Sequence, residues 1–370
     1  MKKVVYISPE SFIDVDIPVI KELNKIYDIL WIVTFVKDIK DTTRFFSPLF
    51  ISDYCSEYKV RYLIVEDKRR ARNPFRIFSA FKKIIGPIKK FKPDIIYFES
   101  FYDPYLPFVA RFCLGISKTI IGLHDVEYHS GNGIIHKILH RFTIRIFKYF
   151  HVFSQTQRIL FAQKFPNKKV KVARLFLKDF GKKVEIEKSS EATIFLFFGR
   201  IYSYKGLDIL LKAISMIPSD LNKRFKVIIA GKCNGFEYYE NLILDKSVFD
   251  LRLRFIKNEE VPELFCKADF LILPYRDVTQ SGPLFTAFNY NLPSITSDLP
   301  GFEEYIEDGV NGYIFENGNP LGLSKCLKAI IEMDNDSRLK IKSNLADFVK
   351  REFAIDKTVK EYKLMLDQVL

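Results

Sequence analysis

The sequence lacks the features that mark a membrane-spanning, secreted or zinc-knuckle protein. Its longest N-terminal run free of charge and of helix breakers is Ile29–Val36, whereas a spanning helix needs ~20 apolar residues. Only Val4–Ile7 follows the Lys2-Lys3 start, so we expect no signal peptide. The five cysteines form no CxxC pair, which argues against a zinc knuckle or a disulfide framework. We therefore expect thiols in a reducing cytoplasm. The cysteines are Cys55, Cys113, Cys233, Cys266 and Cys326.

The composition is that of a folded protein large enough for two domains. The chain has 370 residues, of which 48% are hydrophobic and 28% charged. A domain usually takes ~100–200 residues, so two domains are the simplest division. The balance of apolar and charged residues argues against disorder.

Positive charge is concentrated in the first half. Residues 1–180 hold 32 basic and 17 acidic residues, a net charge of +15, and the remainder holds 26 and 28. The stretches Lys68–Lys92 and Tyr128–Lys178 contain no acidic residue at all. Such asymmetry indicates an anionic partner: a nucleic acid, an anionic membrane or a phosphorylated substrate.

Strand and helix patterns alternate along the whole chain, which predicts an α/β fold with parallel sheets covered by helices on both faces. A polar stretch at 180–190 is the expected linker, and the alternation restarts after it. We expect two doubly wound, Rossmann-like domains, 1–180 and 191–352, facing a cleft, and a terminal helix at 353–370. The strands predicted by pattern include Ile29–Val36, Arg61–Val65, Asp94–Phe98, Lys118–His124, Thr193–Phe198, Phe225–Ala230, Leu253–Ile256, Phe270–Leu273 and Ser294–Thr296.

The segment Phe198–Leu207 (FGRIYSYKGL) is the sharpest chemical motif. It follows an apolar strand and precedes a helix, so Arg200 and Lys205 fall at the strand's carboxyl end, where a phosphate would bind. A guanidinium can grip two phosphate oxygens, and an ammonium adds a point charge beside it. The alternative interpretation is two solvated charges on a loop.

A second motif lies in PYRDVTQSGPLF, which begins at Pro274. Ser281 suits a helix N-cap and Pro283 suits the first turn. The amides around Ser281, Gly282 and Leu284 would then be available to a diphosphate. The alternative is an ordinary capped helix.

Histidines and carboxylates offer two further candidates. His124-Asp125-Val126-Glu127 ends a strand of the first domain, and we expect it to face the ligand. Asp14-Val15-Asp16 matches a metal–nucleotide DxD motif, but the match is short and Asp16 is better interpreted as a helix cap. We interpret His136 and His140, in a basic helix, as surface residues.

Taken in order, these segments resemble a GT-B-fold retaining glycosyltransferase of family 4, also called group 1. The resemblance is strongest from Ile194 to Phe315 and includes FFGRIYSYKGLDILLKAI, VIIAG, LRLRFIKNEEVPELFCKADFLILPY and TQSGPLFTAFNYNLPSITSDLPG. The first half keeps KPDIIYFES and TIIGLHDVEYHSG. The resemblance implies transfer of a sugar, of hexosyl type, from a nucleotide-sugar with retention at the anomeric carbon. It also implies that the terminal helix crosses back onto the first domain.

The resemblance also assigns roles to individual residues. Arg200 and Lys205 would bind the donor diphosphate and act in catalysis, and His124 would contact the transferred sugar. The remaining nucleotide-sugar contacts would come from Gly199, Gly231, Ile256, Lys257, Gln280, Ser281, Gly282 and Thr286. The first domain would bind the acceptor and the second the nucleotide-sugar.

Two departures from the family pattern stand out. Val278 and Thr286 occupy the places of the family's paired glutamates, although a TQSG variant of this segment also occurs; Thr286 could still reach a ribose hydroxyl. The first loop, Ser8–Asp14, lacks the usual glycines. We expect a metal-independent enzyme without a cofactor, because cations and a helix end would neutralise the diphosphate.

The sequence leaves both the binding partner and the exact activity open at this point. Two stretches, Pro74–Phe91 and Ile134–Phe150, are basic and amphipathic, and we expect Gly86-Pro87 to interrupt the first. They favour peripheral attachment to the inner face of the cell membrane, with a lipid-linked or saccharide acceptor. The alternative is that their apolar stripes face the sheet. A nucleic-acid-binding protein would explain the charge but not FGRIYSYKG or TQSGP, so we expect no nucleic acid. A nucleotide-sugar epimerase on the same fold is the other alternative.

Overall fold

The protein is represented by a computed structural model. The structure describes residues 1–36, 46–67, 74–100, 111, 115–126, 134–178, 180–185 and 192–370, without the side chains of residues 36, 67, 74–81 and 134–139. The chain forms two compact units. Unit 1 comprises Met1–Phe176 and Ile355–Leu370, and unit 2 comprises Leu177–Ala354.

Unit 1 is built on a seven-stranded parallel sheet with the strand order β3-β2-β1-β4-β5-β6-β7. Apolar runs bury both faces of this sheet, as parallel sheets require. The order reverses between β1 and β4, which is the switch point of a doubly wound sheet. The strands are β1 Lys3–Pro9, β2 Asp28–Val36, β3 Arg61–Asp67, β4 Ile95–Phe98, β5 Thr119–Leu123, β6 Tyr149–Val152 and β7 Lys169–Val172.

Helices cover the sheet of unit 1, and the last helix of the chain is one of them. Tyr362, Met365 and Leu366 of that helix are buried in the same core as Tyr6 and Trp31. This confirms the expected return of the terminal helix to the first domain. The helices are α1 Ile13–Leu23, α2 Pro48–Glu57, α3 Pro74–Phe91, α4 Ile134–Ile146, α5 Gln155–Lys164 and, from the end of the chain, α13 Ile355–Leu366.

Unit 2 repeats the design with six parallel strands in the order β10-β9-β8-β11-β12-β13. Here the switch point falls between β8 and β11, so the segments after these two strands share one edge of the sheet. The strands are β8 Thr193–Phe198, β9 Phe225–Ala230, β10 Phe249–Arg252, β11 Phe270–Leu273, β12 Ser294–Ser297 and β13 Gly312–Phe315. The helices are α6 Leu207–Ser215, α7 Glu237–Glu240, α8 Val261–Lys267, α9 Gly282–Asn289, α10 Pro300–Glu303, α11 Pro320–Glu332 and α12 Asn335–Glu352.

Three sequence-based predictions of local structure were wrong. The strand expected at Leu253–Ile256 is Phe249–Arg252, because these residues pair with β9. Helix α3 runs through Gly86-Pro87, which we expected to interrupt it. Asp16 does not cap α1, since the helix begins at Ile13 and Asp16 lies in its first turn.

The apolar side of α3 packs on the sheet of unit 1. Ile84 and Ile88 are 5% and 1% exposed and belong to its core. Lys82, Lys83, Lys89 and Lys90 are exposed. Phe75, Phe78 and Phe81 lie among the residues whose side chains are not described. No helix in the described part of the chain has the length and hydropathy needed to cross a bilayer.

Candidate functional site

The segment after β8 is a tight turn fixed by glycines. Gly206 has φ +68°, and a Cβ placed on it would lie 1.9 Å from the carbonyl oxygen of Pro274. Gly231, after β9, packs so closely that its Cβ would lie 2.1 Å from the carbonyl oxygen of Gly199. Only glycine fits at either contact without a shift of the backbone. The turn therefore brings the ends of β8, β9 and β11 together.

Arg276 holds this turn in place from the segment after β11. Its backbone N–H donates to the carbonyl oxygen of Tyr204 at 2.7 Å, and its guanidinium donates to the carbonyl oxygen of Ser203 at 2.7 Å. The guanidinium also forms an ion pair with Asp208 at 2.6 Å, which holds the pKa of Arg276 above its usual value. These three bonds fix the backbone on which Lys205 stands.

The ammonium group of Lys205 is buried in the protein. The residue is 7% exposed, and burial lowers the pKa of Lys205 to about 8. Its ammonium lies 5.3 Å from the centre of the Tyr275 ring. Within the described residues no carboxylate pairs with it. A buried ammonium without a counter-charge is costly unless an anion binds there.

The N-terminus of α9 lies beside this ammonium. The Ser281 hydroxyl caps the helix by accepting from the N–H of Leu284 at 3.4 Å. A Cβ placed on Gly199 would lie 2.9 Å from Nζ of Lys205 and 3.7 Å from Cγ of Pro283. The turn after β8, the Lys205 ammonium and the positive end of α9 thus converge on one small region.

A second ammonium reaches the same helix end. Nζ of Lys178 would lie 3.2 Å from a Cβ placed on Gly282. A cation is unfavourable at the positive end of a helix, so the Lys205 ammonium, which no carboxylate of the described residues pairs with, favours an anion there. The geometry of this region is therefore that of an anion-binding site.

Arg200 stands on the wall of an adjoining cavity of about 280 Å³. Its guanidinium lies 5.2 Å from the centre of the Tyr202 ring, and Lys232 and Tyr238 line the same cavity. No ion pair joins Arg200 to an acidic residue in the described ranges. The cavity combines positive charge with aromatic faces.

Four other predicted site residues have side chains or backbone groups that are buried or already hydrogen-bonded. Thr286 is 1% exposed and donates its hydroxyl to the carbonyl oxygen of Gly282 at 3.0 Å. A ribose contact through that proton would require this bond to open. The backbone N–H of Lys257 donates to Glu260 and its carbonyl accepts from the same residue, so both groups are engaged within the turn rather than offered to a base. Ile256 beside it is 6% exposed. Nε2 of Gln280 is buried without a hydrogen-bond partner in the described structure.

In unit 1, His124 is held on three sides. Its ring stacks between Phe12 and Phe153, with centroid distances of 4.0 and 4.2 Å. Nε2 of His124 lies 3.1 Å from Oε1 of Glu99. His124 keeps 17% of its side chain exposed, whereas that of Glu99 is fully buried. The neighbouring Glu127 lies outside the described residues.

The acidic and histidine alternatives do not assemble a metal centre. Asp16 is 1% exposed and accepts a hydrogen bond from Tyr6 at 2.8 Å. His140 is buried, and burial lowers its pKa to about 4, so our surface assignment of His140 was wrong. The side chain of His136 lies outside the described residues. In the part of the chain that the structure describes, no three His, Cys, Asp or Glu side chains cluster as metal ligands.

Sequence reasoning missed three residues at these sites. Lys178 lies 104 positions before Gly282 in the sequence, and Arg276 acts through backbone carbonyls, so neither leaves a spacing signal. Glu99 could have been noticed, because an acid at the end of the apolar strand DIIYF is unusual in a buried position.

Comparison with known proteins shows what this chain is similar to. Residues 180–347 match the family described as glycosyl transferases group 1. An uncharacterised glycosyltransferase of Methanocaldococcus jannaschii is 24% identical over 184 residues, which cover 47% of this chain and 45% of the relative. A glycogen synthase of Thermodesulfovibrio yellowstonii is 26% identical over 181 residues, 48% of this chain and 35% of the relative. The matched part is thus less than half the length of these relatives.

Solved structures match over nearly the whole chain. Anabaena HepE, in complex with UDP and glucose, aligns with a TM-score of 0.72 and 15% identity over 99% of this chain and 100% of that chain. A glycosyltransferase from Rickettsia africae aligns with a TM-score of 0.74 and 15% identity over 100% and 98%. The fold is therefore the GT-B fold. Unit 2 carries the match to group 1 glycosyltransferases, which confirms the resemblance seen in FGRIYSYKGL and TQSGP.

Proposed function

We propose that the protein is a retaining glycosyltransferase that moves a sugar from a nucleotide-sugar to an acceptor. The observation that carries this proposal is the buried ammonium of Lys205, which lies beside the N-terminus of α9 without a carboxylate partner in the described chain. A diphosphate supplies the charge that this arrangement lacks. The family match of the same residues, 180–347, supports a sugar nucleotide as its source.

The proposed chemistry follows from where charge develops. The bond between the anomeric carbon and the diphosphate breaks, which leaves an oxocarbenium-like sugar and a more negative diphosphate. Lys205, Arg200 and the amides of α9 would bind that added charge more strongly than they bind the ground state, and so lower the barrier. The acceptor oxygen attacks from the leaving-group face, and its proton passes to the diphosphate.

Lys178 extends this site in our proposal. Its ammonium lies at the same helix end as Ser281 and Gly282. With Lys205 and Arg200 it gives three cations for a diphosphate, so binding needs neither a metal nor a cofactor in this proposal. Uridine diphosphate is the first nucleotide to test, since the Anabaena neighbour was solved with UDP and glucose.

We place the acceptor at the cytoplasmic membrane face, on a lipid carrier or a growing saccharide. The exposed lysines of α3 support this placement, because anionic lipid attracts basic residues by ~1 kcal/mol each. Ile84 and Ile88 of that helix face the protein core. Attachment in this proposal is therefore electrostatic rather than by insertion of this part of α3.

The test is turnover of nucleotide-sugars in the presence of saccharide and lipid-linked acceptors. We expect release of nucleoside diphosphate coupled to a glycosidic product whose anomeric configuration, read by NMR, is that of the donor. Inversion at that carbon would overturn the retaining mechanism. Accumulation of free sugar-nucleotide isomers would instead identify an epimerase on the same fold.

A further inference from the structure

His124 is oriented by contacts that fix both the plane of its ring and the rotation within that plane. Phe12 and Phe153 stack on its two faces at interplanar angles of 13° and 19°. Stacking alone allows the ring to turn between them. The contact at 3.1 Å between Nε2 and Oε1 of Glu99 removes that freedom. Glu99 therefore decides which edge of the imidazole faces the protein.

Glu99 belongs to a buried chain of hydrogen bonds whose protons can be counted. His151 lies at one end, and its Nε2 is 2.8 Å from the carbonyl oxygen of Ala173. A carbonyl can only accept, so this nitrogen carries a proton. Burial lowers the pKa of His151 to about 3. The ring is thus neutral, and its Nδ1 must accept the 2.7 Å hydrogen bond from the hydroxyl of Tyr97.

The same assignment of protons determines the state of Glu99. Tyr97 has one hydroxyl proton and gives it to His151, yet its oxygen also lies 2.6 Å from Oε2 of Glu99. That contact is a hydrogen bond only if Oε2 carries the proton. Burial raises the pKa of Glu99 above its usual value, which is the direction that favours a protonated carboxyl. The single hydroxyl proton of Tyr6 lies between two acceptors, Oε2 of Glu99 and Oδ1 of Asp16, each at 2.8 Å.

With Oε2 protonated, Oε1 of Glu99 is a carbonyl-type acceptor. Its neighbour, Nε2 of His124, must then be the donor. In the neutral imidazole this leaves Nδ1 as the acceptor nitrogen, the form that can receive a hydrogen bond from a sugar hydroxyl. The same contact therefore sets both the direction of the ring and its tautomer.

We propose that Glu99 is the positioning residue that sets the orientation and tautomer of His124 for its contact with the transferred sugar. This role rests on the proposed function and on the contact between His124 and the transferred sugar that the family resemblance implies. Asp16 belongs to the same buried cluster, because its carboxyl contacts both Tyr6 and Glu99. The Nε2 contact of His124 is with Glu99. Asp16→Asn therefore tests whether a change elsewhere in the cluster is enough to alter His124.

The tautomer can be read without any turnover, by ¹⁵N NMR of histidine-labelled protein, with His124→Asn to assign the signal. We expect the Nε2–H form of His124 in the wild type, in Asp16→Asn and in Glu99→Gln, whose amide keeps an acceptor oxygen. Glu99→Leu should lose this preference. A wild-type signal from the Nδ1–H form would overturn the proposal, even if Glu99→Leu failed to fold.

The kinetic arm uses the nucleotide-sugar that the wild type turns over. We expect Glu99→Leu to lower kcat by about 10- to 100-fold with little change in KM for the donor, and Glu99→Gln to restore most of kcat. Equal damage in the Gln and Leu variants, with the tautomer intact in both, would contradict a positioning role. If the wild type transfers no sugar, the proposed function fails, whereas the tautomer assignment is still decided by NMR.

Discussion

A lysine that is buried without a carboxylate partner destabilises the protein that carries it until an anion arrives. At the residue scale, Lys205 is the clearest example of such a destabilising buried charge. Its neighbours are the Tyr275 ring, the Gly199 turn and the N-terminus of α9, none of which supplies a negative charge. The protein gains a preorganised site at the expense of stability.

The first prediction follows directly for Lys205→Met. Without the buried charge the ligand-free protein should be more stable by about 1–3 kcal/mol. The affinity for a nucleoside diphosphate should fall about 10- to 100-fold, because one charge-assisted phosphate contact is lost. Urea unfolding and titration calorimetry measure the two effects. Lys212→Met, an exposed lysine on α6, is the control and should change neither.

The second prediction concerns pH: as pH rises above 8, nucleotide affinity should fall while the contribution of Lys205 to stability should rise. The pKa of Lys205 is about 8 in the folded protein and near its usual value of ~10.4 when unfolded. Nucleotide affinity should therefore be full below pH 8 and decline above it. Between pH 8 and about 10.4 the unfolded state binds more protons, so this group makes stability rise with pH.

Comparing wild type with Lys205→Met at each pH isolates the contribution of this one lysine. The variant should show a flatter dependence in both measurements, since the titrating group is gone. Identical pH profiles for the two proteins would mean that the ammonium of Lys205 does not titrate in this range.

At the element scale, the turn between β8 and α6 depends on Gly206 for two separate reasons. The backbone is left-handed, with φ +68°, and the Pro274 carbonyl oxygen occupies the place where a Cβ would lie. Gly318 has a similar φ of +74°, but a Cβ added there would meet no other part of the described chain within 4 Å. The two glycines therefore separate the effect of backbone conformation from that of close approach.

The third prediction compares Gly206→Ala with Gly318→Ala. Gly318→Ala should lower the free energy of unfolding by about 1 kcal/mol, the cost of a left-handed alanine. Gly206→Ala should lower it by about 3 kcal/mol or more, because the backbone around Pro274 must move. It should also weaken nucleotide binding, since the turn carries Lys205. If urea unfolding showed that both variants lose the same free energy of unfolding, the close approach of Gly206 to the Pro274 carbonyl would contribute nothing to stability.

The elements show how far a sequence determines this fold. Long apolar runs such as Thr193–Phe198 and Phe225–Ala230 were predicted with the bounds that the structure has, because a buried parallel strand leaves a continuous apolar signal. The edge strand Lys169–Val172 (KVKV) left no such signal, since lysines alternate along it. The strand at Phe249–Arg252 was misplaced because its pairing with β9, not its composition, decides its register.

The candidate site was predictable to the extent that it lies in one segment. Arg200 and Lys205 could be found because they follow an apolar strand at its carboxyl end. Lys178 and Glu99 act through contacts with residues distant in sequence, at Gly282 and His124, and no local pattern encodes such contacts.

At the scale of the whole molecule, charge is unequal between the two units. The first 180 residues carry a net +15, and the exposed lysines of α3 belong to unit 1. The proposed function uses this charge to hold the protein at an anionic surface, while unit 2 supplies the nucleotide site.

The fourth prediction tests that use of charge. The protein should sediment with vesicles that contain anionic lipid, and binding should weaken as salt increases. Exchange of Lys82, Lys83, Lys89 and Lys90 for glutamate should abolish most of the binding without altering nucleotide affinity. Lys340→Glu and Lys350→Glu, in α12 of unit 2, are the controls for a general effect of charge. Equal absence of binding to anionic and neutral vesicles at low salt would leave the charge to an anionic acceptor in solution.

The central claim is that unit 2 binds the diphosphate of a nucleotide-sugar through its own cations and the N-terminus of α9. Titration calorimetry with uridine diphosphate and a panel of other nucleoside diphosphates, in excess chelator, tests it most directly. We expect at least one of them to bind without metal, and Lys205→Met and Arg200→Ala each to weaken this binding about 10- to 100-fold. Binding that requires added magnesium or manganese, or that is unchanged in both variants, would contradict it.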